Sequence, residues 1–263
     1  MLAGSMLACS GAAIACSDAW WSAAAGPERS EWQEIAAQGR TLVREAGTLG
    51  TVALAAGGRC SGWLGSARWA GARGTRAYQG VTVANAPIET LSTISRHRLE
   101  LDALRPFGAM LSAGARVAYQ HTLREIADVG RVRGYPERFS QWEFAAGAEA
   151  RLVDRPALRL SAQLWLGAGP PGRLELELPN ADPAVLRLGS SRSQQFGIDL
   201  QGGLPAAGAV GWQWQLQAAS RRDTTAAGPA QVILRQGLPI GGAAQPETRQ
   251  TGRWLRIGVQ HGF

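Results

Sequence analysis

The chain has 263 residues, 45% of them hydrophobic, and a formal net charge of +7 in which every basic residue is arginine. This length suits one domain, and no run of about 18 apolar residues follows the first 25, which argues against a helical membrane span. The basic charge alone would favour nucleic acid as a partner, but the strand pattern below predicts no nucleic-acid binding.

Residues 1–25 have the composition of an export signal, since they are rich in Ala, Leu, Cys and Trp and end in Ala23-Ala24-Ala25. These small residues fit a cleavage site before Gly26, although the basic front of such a signal is missing. We therefore predict an incomplete export signal over 1–25 and one domain over 26–263. Cleavage there would leave Cys60 as the last cysteine, without a partner for an intramolecular disulfide.

Segments that alternate apolar and polar residues, as β-strands with two different faces do, follow along the chain. Ten are predicted, the first three with weaker alternation than the rest. They lie near 31–45, 48–58, 63–76, Leu99–Ala103, Leu111–Gln120, Trp142–Leu152, Leu158–Leu166, Gln195–Gln201, Val210–Ala218 and 248–263.

The connections between these segments alternate in length. Short ones lie near 57–62, 104–108, 154–157 and 202–208, and long ones near 76–88, 126–139, 169–193 and 221–247. The connection near 46–48, between the first two segments, is an exception because it is short. Within 169–193, Leu174, Leu176 and Leu178 alternate with charged residues, and Leu186 and Leu188 flank Arg187, which predicts a β-hairpin.

The last thirteen residues are a strand whose apolar face carries Leu255, Ile257, Val259 and Phe263. This ending resembles the C-terminal strand of Gram-negative outer-membrane β-barrel proteins, whose terminal Phe belongs to the signal read by the assembly machinery. The resemblance implies that these four residues form a membrane-assembly signal. It also implies the barrel assembly machinery as a partner during biogenesis and the outer membrane as the location.

Strand number and connection lengths then predict an all-β fold, an antiparallel up-and-down transmembrane β-barrel of about ten strands, with eight or twelve as alternatives. Both termini would be periplasmic and the long connections external. Aromatic residues at strand ends predict two girdles at the membrane interfaces; they are Trp63, Trp212 and Phe263 on one side and Trp142, Phe196 and Trp254 on the other. A soluble β-barrel carrier is the competing fold.

Charges of both signs lie on the polar faces of the fourth to seventh strands. Charges removed from water are tolerated when they are paired, so we predict a cross-strand network that plugs the lumen. Its predicted members are Arg96, Arg98, Glu100, Asp102, Arg116, Glu143, Glu149, Arg151 and Arg159.

The function predicted from these features is a non-enzymatic outer-membrane protein, structural or with a narrow or plugged pore. Arg131, Arg133 and Arg138 of the loop at 128–139 would contact lipopolysaccharide phosphates, and membrane lipids are the other partners. The alternative is a hydrolase, acting on protein or lipid, with a rim site near His97 and His121 on neighbouring strands. The sequence shows no Asp-x-His or His-x-Ser motif, and its spacing indicates no metal, cofactor or small-molecule ligand.

Overall fold

A computed structural model describes residues 16–81, 86–155, 157–204 and 211–263. Ten long strands form a closed antiparallel barrel. They are β1 (Cys16–Ile35), β2 (Thr41–Cys60), β3 (Trp63–Val81), β4 (Pro87–Phe107), β5 (Leu111–Ile126), β6 (Pro136–Arg155), β7 (Leu158–Gly169), β10 (Ser191–Gly203), β11 (Trp212–Thr225) and β14 (Glu247–Gly262). In this part of the chain, no helix is long and apolar enough to cross a membrane.

Each barrel strand pairs with the barrel strands before and after it in the chain, and β14 pairs with β1. This confirms the predicted up-and-down barrel of about ten strands. Next to the closing strand, the backbone N–H of Phe263 donates to the carbonyl oxygen of Ala19 over 2.9 Å. Closure satisfies the strand edges within the barrel, as a strand-built membrane protein requires.

The first strand departs from the sequence prediction. β1 begins at Cys16 and includes ten residues of the predicted export signal, and Ala25 pairs with both Val52 and Ile257. Cleavage after Ala25 would remove half of this strand, so the boundary between 25 and 26 does not mark the start of the barrel. The rest of the predicted signal, residues 1–15, lies outside the described residues.

The extension of β1 to Cys16 also changes the prediction about disulfide bonds. Cys60 is disulfide-bonded, and it stands opposite Cys16 in the register of β1 and β2. The prediction of no intramolecular disulfide was therefore wrong, because it followed from the cleavage placed after Ala25.

The two ends of the barrel differ in their connections. The end that holds Cys16 and Phe263, here called the termini end, has short turns such as Ser61–Gly62, whose φ values of 50° and 81° form a two-residue hairpin turn. The opposite end, here called the loop end, carries the connections at 127–135, 170–190 and 226–246. The first turn at this end lies at 36–40, not at 46–48 as predicted, because β1 and β2 begin earlier than expected.

The outer wall of the barrel carries exposed large apolar side chains, and the inner wall is mostly polar. Those exposed include Val52, Leu54, Trp69, Leu99, Leu101, Val117, Trp142, Phe144, Leu164, Leu166, Phe196, Ile198, Leu255 and Ile257. Such a wall suits hydrocarbon outside and a polar lumen inside. Trp254 is an exception to the predicted girdles, since it lines a lumen cavity beside Arg256.

Two hairpins extend the barrel at the loop end. β8 (Arg173–Leu176) and β9 (Ala184–Arg187) form the predicted one, and β12 (Gln231–Arg235) and β13 (Leu238–Ala243) form a second that was not predicted. Their buried side chains pack on the barrel rim in one apolar cluster, here called the cap. The cap consists of Trp32, Phe139, Leu174, Leu176, Leu186, Leu188 and Ile233.

Candidate functional site

The centre of the lumen holds an ionic cluster that spans the barrel. Arg98 on β4 donates to Glu143 on β6 over 2.8 Å, and Arg221 on β11 donates to the other oxygen of Glu143. In the ten-strand order, β4 and β11 lie five strands apart, on opposite walls. Side chains from opposite sides of the barrel therefore meet on one carboxylate.

A second part of this central cluster surrounds Arg116. Its guanidinium donates two hydrogen bonds to the carboxylate of Asp102, over 2.6 and 2.8 Å, and lies 3.5 Å from Glu100. Glu100 also accepts from Arg98 over 2.6 Å. Five predicted network residues are thus in one cluster, and only 2% of Arg116 is exposed.

The ring of Trp165 forms one wall of the central cluster. The Arg116 guanidinium lies 4.1 Å from the ring centroid, a cation–π geometry. Gly147 lies under the same ring on the neighbouring strand, where any side chain would collide with it. The cluster is therefore packed against an aromatic surface as well as hydrogen-bonded.

A second ionic cluster lies nearer the loop end, below the cap. Arg124 donates to Glu34, Glu45 and Glu137 over 2.7, 2.9 and 2.8 Å. Arg76 also bonds to this cluster, at 3.4 Å from Glu45. Four strands are joined through a single buried guanidinium and its three carboxylates, which are on β1, β2 and β6.

The remaining predicted network residues have other partners. Arg96 pairs with Glu28 at 2.5 Å. Arg151 and Arg159 pair with Asp154 at the termini end, over 3.4 and 3.2 Å, and not with Glu149. Arg96, Arg151, Arg159 and Glu149 all face the lumen. Of the three arginines, only Arg96 has a deeply buried partner.

Little space is left beside the central cluster. Two cavities of about 50 Å³ each lie beside the central cluster. A cavity of about 200 Å³, here called the vestibule, lies toward the termini end and is lined by Glu149, Ser161, Asp199 and several glutamines. Each small cavity has room for only a few water molecules, so the central cluster fills most of the cross-section.

The two candidate histidines lie outside the lumen. His97 and His121 are directly opposite each other on β4 and β5, and Ser140 on β6 continues the same row. His97 is exposed and stacks on Trp69, with ring centroids 5.8 Å apart. The His121 Nδ1 lies 3.2 Å from the Ser140 Oγ. The sequence did not predict Ser140 as a neighbour of His121. Among described residues, no group of three His, Cys, Asp or Glu could hold a metal ion.

The loop arginines are partly neutralised by carboxylates. Arg133 pairs with Asp128 at 2.9 Å, Arg138 pairs with Glu177, and Arg131 is exposed. Asp128 also accepts from the backbone N–H of Gly134 over 2.7 Å. This hydrogen bond and the one from Arg133 lower the pKa of Asp128, so its carboxylate keeps its charge to a lower pH than an isolated aspartate would.

The sequence did not predict several of the lumen charges. They are Glu28, which pairs with Arg96, and six members of the two clusters, namely Glu34, Glu45, Arg76, Arg124, Glu137 and Arg221. Most of them lie in strand ends that were assigned to connections or to misplaced first strands. The period-two pattern of β11 could have revealed Arg221, since Gln215, Gln217 and Arg221 share the inward face. Side-chain contacts across the lumen could not be predicted, because they join strands that are not neighbours in the sheet.

The closed ten-strand barrel, with an apolar outer wall and a polar lumen, is the fold of bacterial outer-membrane β-barrels. Among solved structures, the outer membrane protease OmpT from Escherichia coli is similar over 95% of this chain and 99% of that chain, with 10% sequence identity and a TM-score of 0.51. At this identity, the similarity shows the fold alone.

Other similar structures are the translocator domain of the autotransporter NalP from Neisseria meningitidis and Neisserial surface protein A. NalP is 9% identical, with a TM-score of 0.45, and the match covers 92% of this chain and 88% of that chain. Neisserial surface protein A is 10% identical, with a TM-score of 0.37, and the match covers 95% and 99%. No protein family and no curated protein matches this sequence.

Proposed function

We propose that the protein is a non-enzymatic, integral outer-membrane β-barrel whose lumen is closed by its own side chains. The meeting of Arg98 and Arg221 on Glu143 carries this proposal, because it bridges opposite walls at the barrel centre. The charges stabilise the barrel and block passage. A ten-stranded barrel suits such a plug, since about eight strands already enclose only enough space for side chains.

The orientation proposed here places the loop end outside the cell and both termini in the periplasm. Short turns on the periplasmic side and long external connections are the rule for this class. Leu255, Ile257 and Phe263 face outward on the closing strand, where the barrel assembly machinery could read them as the proposed assembly signal. Arg131, Arg133 and Arg138 then lie on the external side, where we propose contact with lipopolysaccharide.

A planar-bilayer measurement tests the plug. The wild-type protein should show no steady single-channel conductance, because side chains fill the central cross-section. The triple variant Arg98→Ser, Glu143→Ser and Arg221→Ser should show a small, steady conductance. The matched control Arg151→Ser, Asp154→Ser and Arg159→Ser alters charges at the termini end and should stay closed. A large, stable conductance in the wild type would contradict the proposal.

One observation favours a second function, a lipid-ester hydrolase. Ser140 and His121 lie on the outward face with their side chains 3.2 Å apart. With the proton of His121 on Nε2, its Nδ1 can take the Ser140 proton as Oγ attacks an ester carbonyl. The alcohol would leave with that proton, and water would later release the acyl group from Ser140.

Labelling with a fluorophosphonate probe, which reacts with activated serines, distinguishes this second function. Modification of Ser140 that is lost in His121→Ala would establish an activated serine at the rim. Ser95 on the outward face of β4 is the matched control, and Ser95→Ala should change nothing. If the folded wild type takes up no probe and releases no fatty acid from phospholipid, the hydrolase is ruled out.

A further inference from the structure

An unusual group of arginines lies on the outer wall where β11, β14 and β1 meet. Arg29 on β1 is directly opposite Arg253 on β14. Arg222 on β11 is opposite Thr251, which lies two residues before Arg253 on the same face of β14. All three arginines are exposed. We call Arg29, Arg222 and Arg253 the arginine patch.

The charges of the patch are largely uncompensated. Like charges directly opposite each other on neighbouring strands destabilise a sheet. Arg29 has Glu31 at 3.6 Å, but Arg222 and Arg253 form no ion pair within the described part of the chain. By contrast, Arg133 in the loop before β6 and Arg138 near the start of β6 each have a carboxylate partner. The patch is therefore the stronger site for an external anion.

The position of the patch identifies the kind of anion. Two residues from Arg253 toward the termini end, Leu255 begins the apolar wall, and Ile257 beyond it is 69% exposed. Phe196, an exposed aromatic, is in the same row, opposite Ser220, which in turn is opposite Arg253. Aromatic side chains are enriched at membrane–water interfaces, so the patch lies where lipid headgroups meet the barrel.

We propose that the arginine patch binds the phosphate groups of lipopolysaccharide. Two guanidinium forks on neighbouring strands can each form paired hydrogen bonds to phosphate oxygens. A phosphate between Arg29 and Arg253 would replace their repulsion with two attractions. Lipopolysaccharide is the lipid chosen because the proposed function places the loop end in the outer leaflet, and this inference rests on that orientation.

Native mass spectrometry of the purified barrel in detergent tests the proposal with three probes, namely lipid A, dephosphorylated lipid A and phosphatidylglycerol. The wild type should bind lipid A about tenfold more tightly than either other lipid, which corresponds to about 1.4 kcal/mol. Arg29→Gln with Arg253→Gln should remove most of that preference. The matched control, Arg105→Gln with Arg155→Gln, alters two exposed arginines at the termini end and should bind as the wild type does.

Three results would overturn the proposal. They are equal binding of dephosphorylated lipid A, equal binding of phosphatidylglycerol, and unchanged lipid A binding by the Arg29 and Arg253 double variant. Heat-dependent gel migration of each variant verifies that the barrel is folded. If the arginine patch does not bind lipid A, the proposal of a closed lumen still stands, because the conductance measurement tests it separately.

Discussion

Among single residues, Glu143 joins opposite walls of the barrel. Its two oxygens accept from Arg98 and Arg221, whose strands lie on opposite walls. Removing one partner of a buried ion pair is costly, because the other charge remains buried without compensation. Exposed pairs such as Arg159 with Asp154 contribute little, since water screens them.

Truncation of the buried carboxylate Glu143 and of the exposed carboxylate Asp154 should change the stability of the protein by different amounts. Glu143→Ala should lower the free energy of unfolding by about 1.5–3 kcal/mol, because two buried arginines lose a shared acceptor and keep only Glu100 and Asp223 as partners. Asp154→Ala should lower it by less than about 1 kcal/mol. Urea titration of the protein folded into lipid vesicles measures both. Equal losses would mean that the lumen charges are as well hydrated as the charges at the rim.

Among the strands, β7 displays most clearly the alternation on which the barrel depends. Leu164 is half exposed on the outer wall, while Ser161 lines the vestibule inside. This strand was predicted nearly to its ends because its apolar and polar residues alternate without interruption. The hairpin β12–β13 was not predicted. Residues 232–234 of β12 form a continuous apolar run, and β13 contains Pro239 and two glycines, so neither strand shows the alternation of a half-buried strand.

Charge substitutions on the two faces of β7 should have different costs. Leu164→Arg directs a charge to hydrocarbon and should cost roughly 2–4 kcal/mol near the midplane of the membrane. Ser161→Arg directs it into the vestibule, where there is space and where Glu149 and Asp199 are lining residues. Its effect on the outer-membrane level of the protein should be small. If Ser161→Arg proves the more damaging, the assignment of inner and outer faces is wrong.

For the whole molecule, strand number and polarity of the faces could be predicted because they depend on local alternation. The start of β1 could not, since residues 16–25 have the small and apolar composition that export signals also have. Inward charges such as Arg98 and Arg116 were predicted only from their alternating positions along the strands. Their partners across the lumen, such as Arg221 for Glu143, depend on closure and packing, which no pair of neighbouring strands encodes.

The seam between β1 and β14 has a consequence for folding kinetics. It joins Trp20 to Gly262 and Ile35 to Glu247, so its contacts span nearly the whole described chain. Contacts of such high order form slowly, because a long loop must lose its entropy before they form. Until then, β1 and β14 are open edges that can pair with other chains. The meeting of β1 and β14 should therefore limit the rate of barrel formation, and covering these two edges during that interval should reduce aggregation.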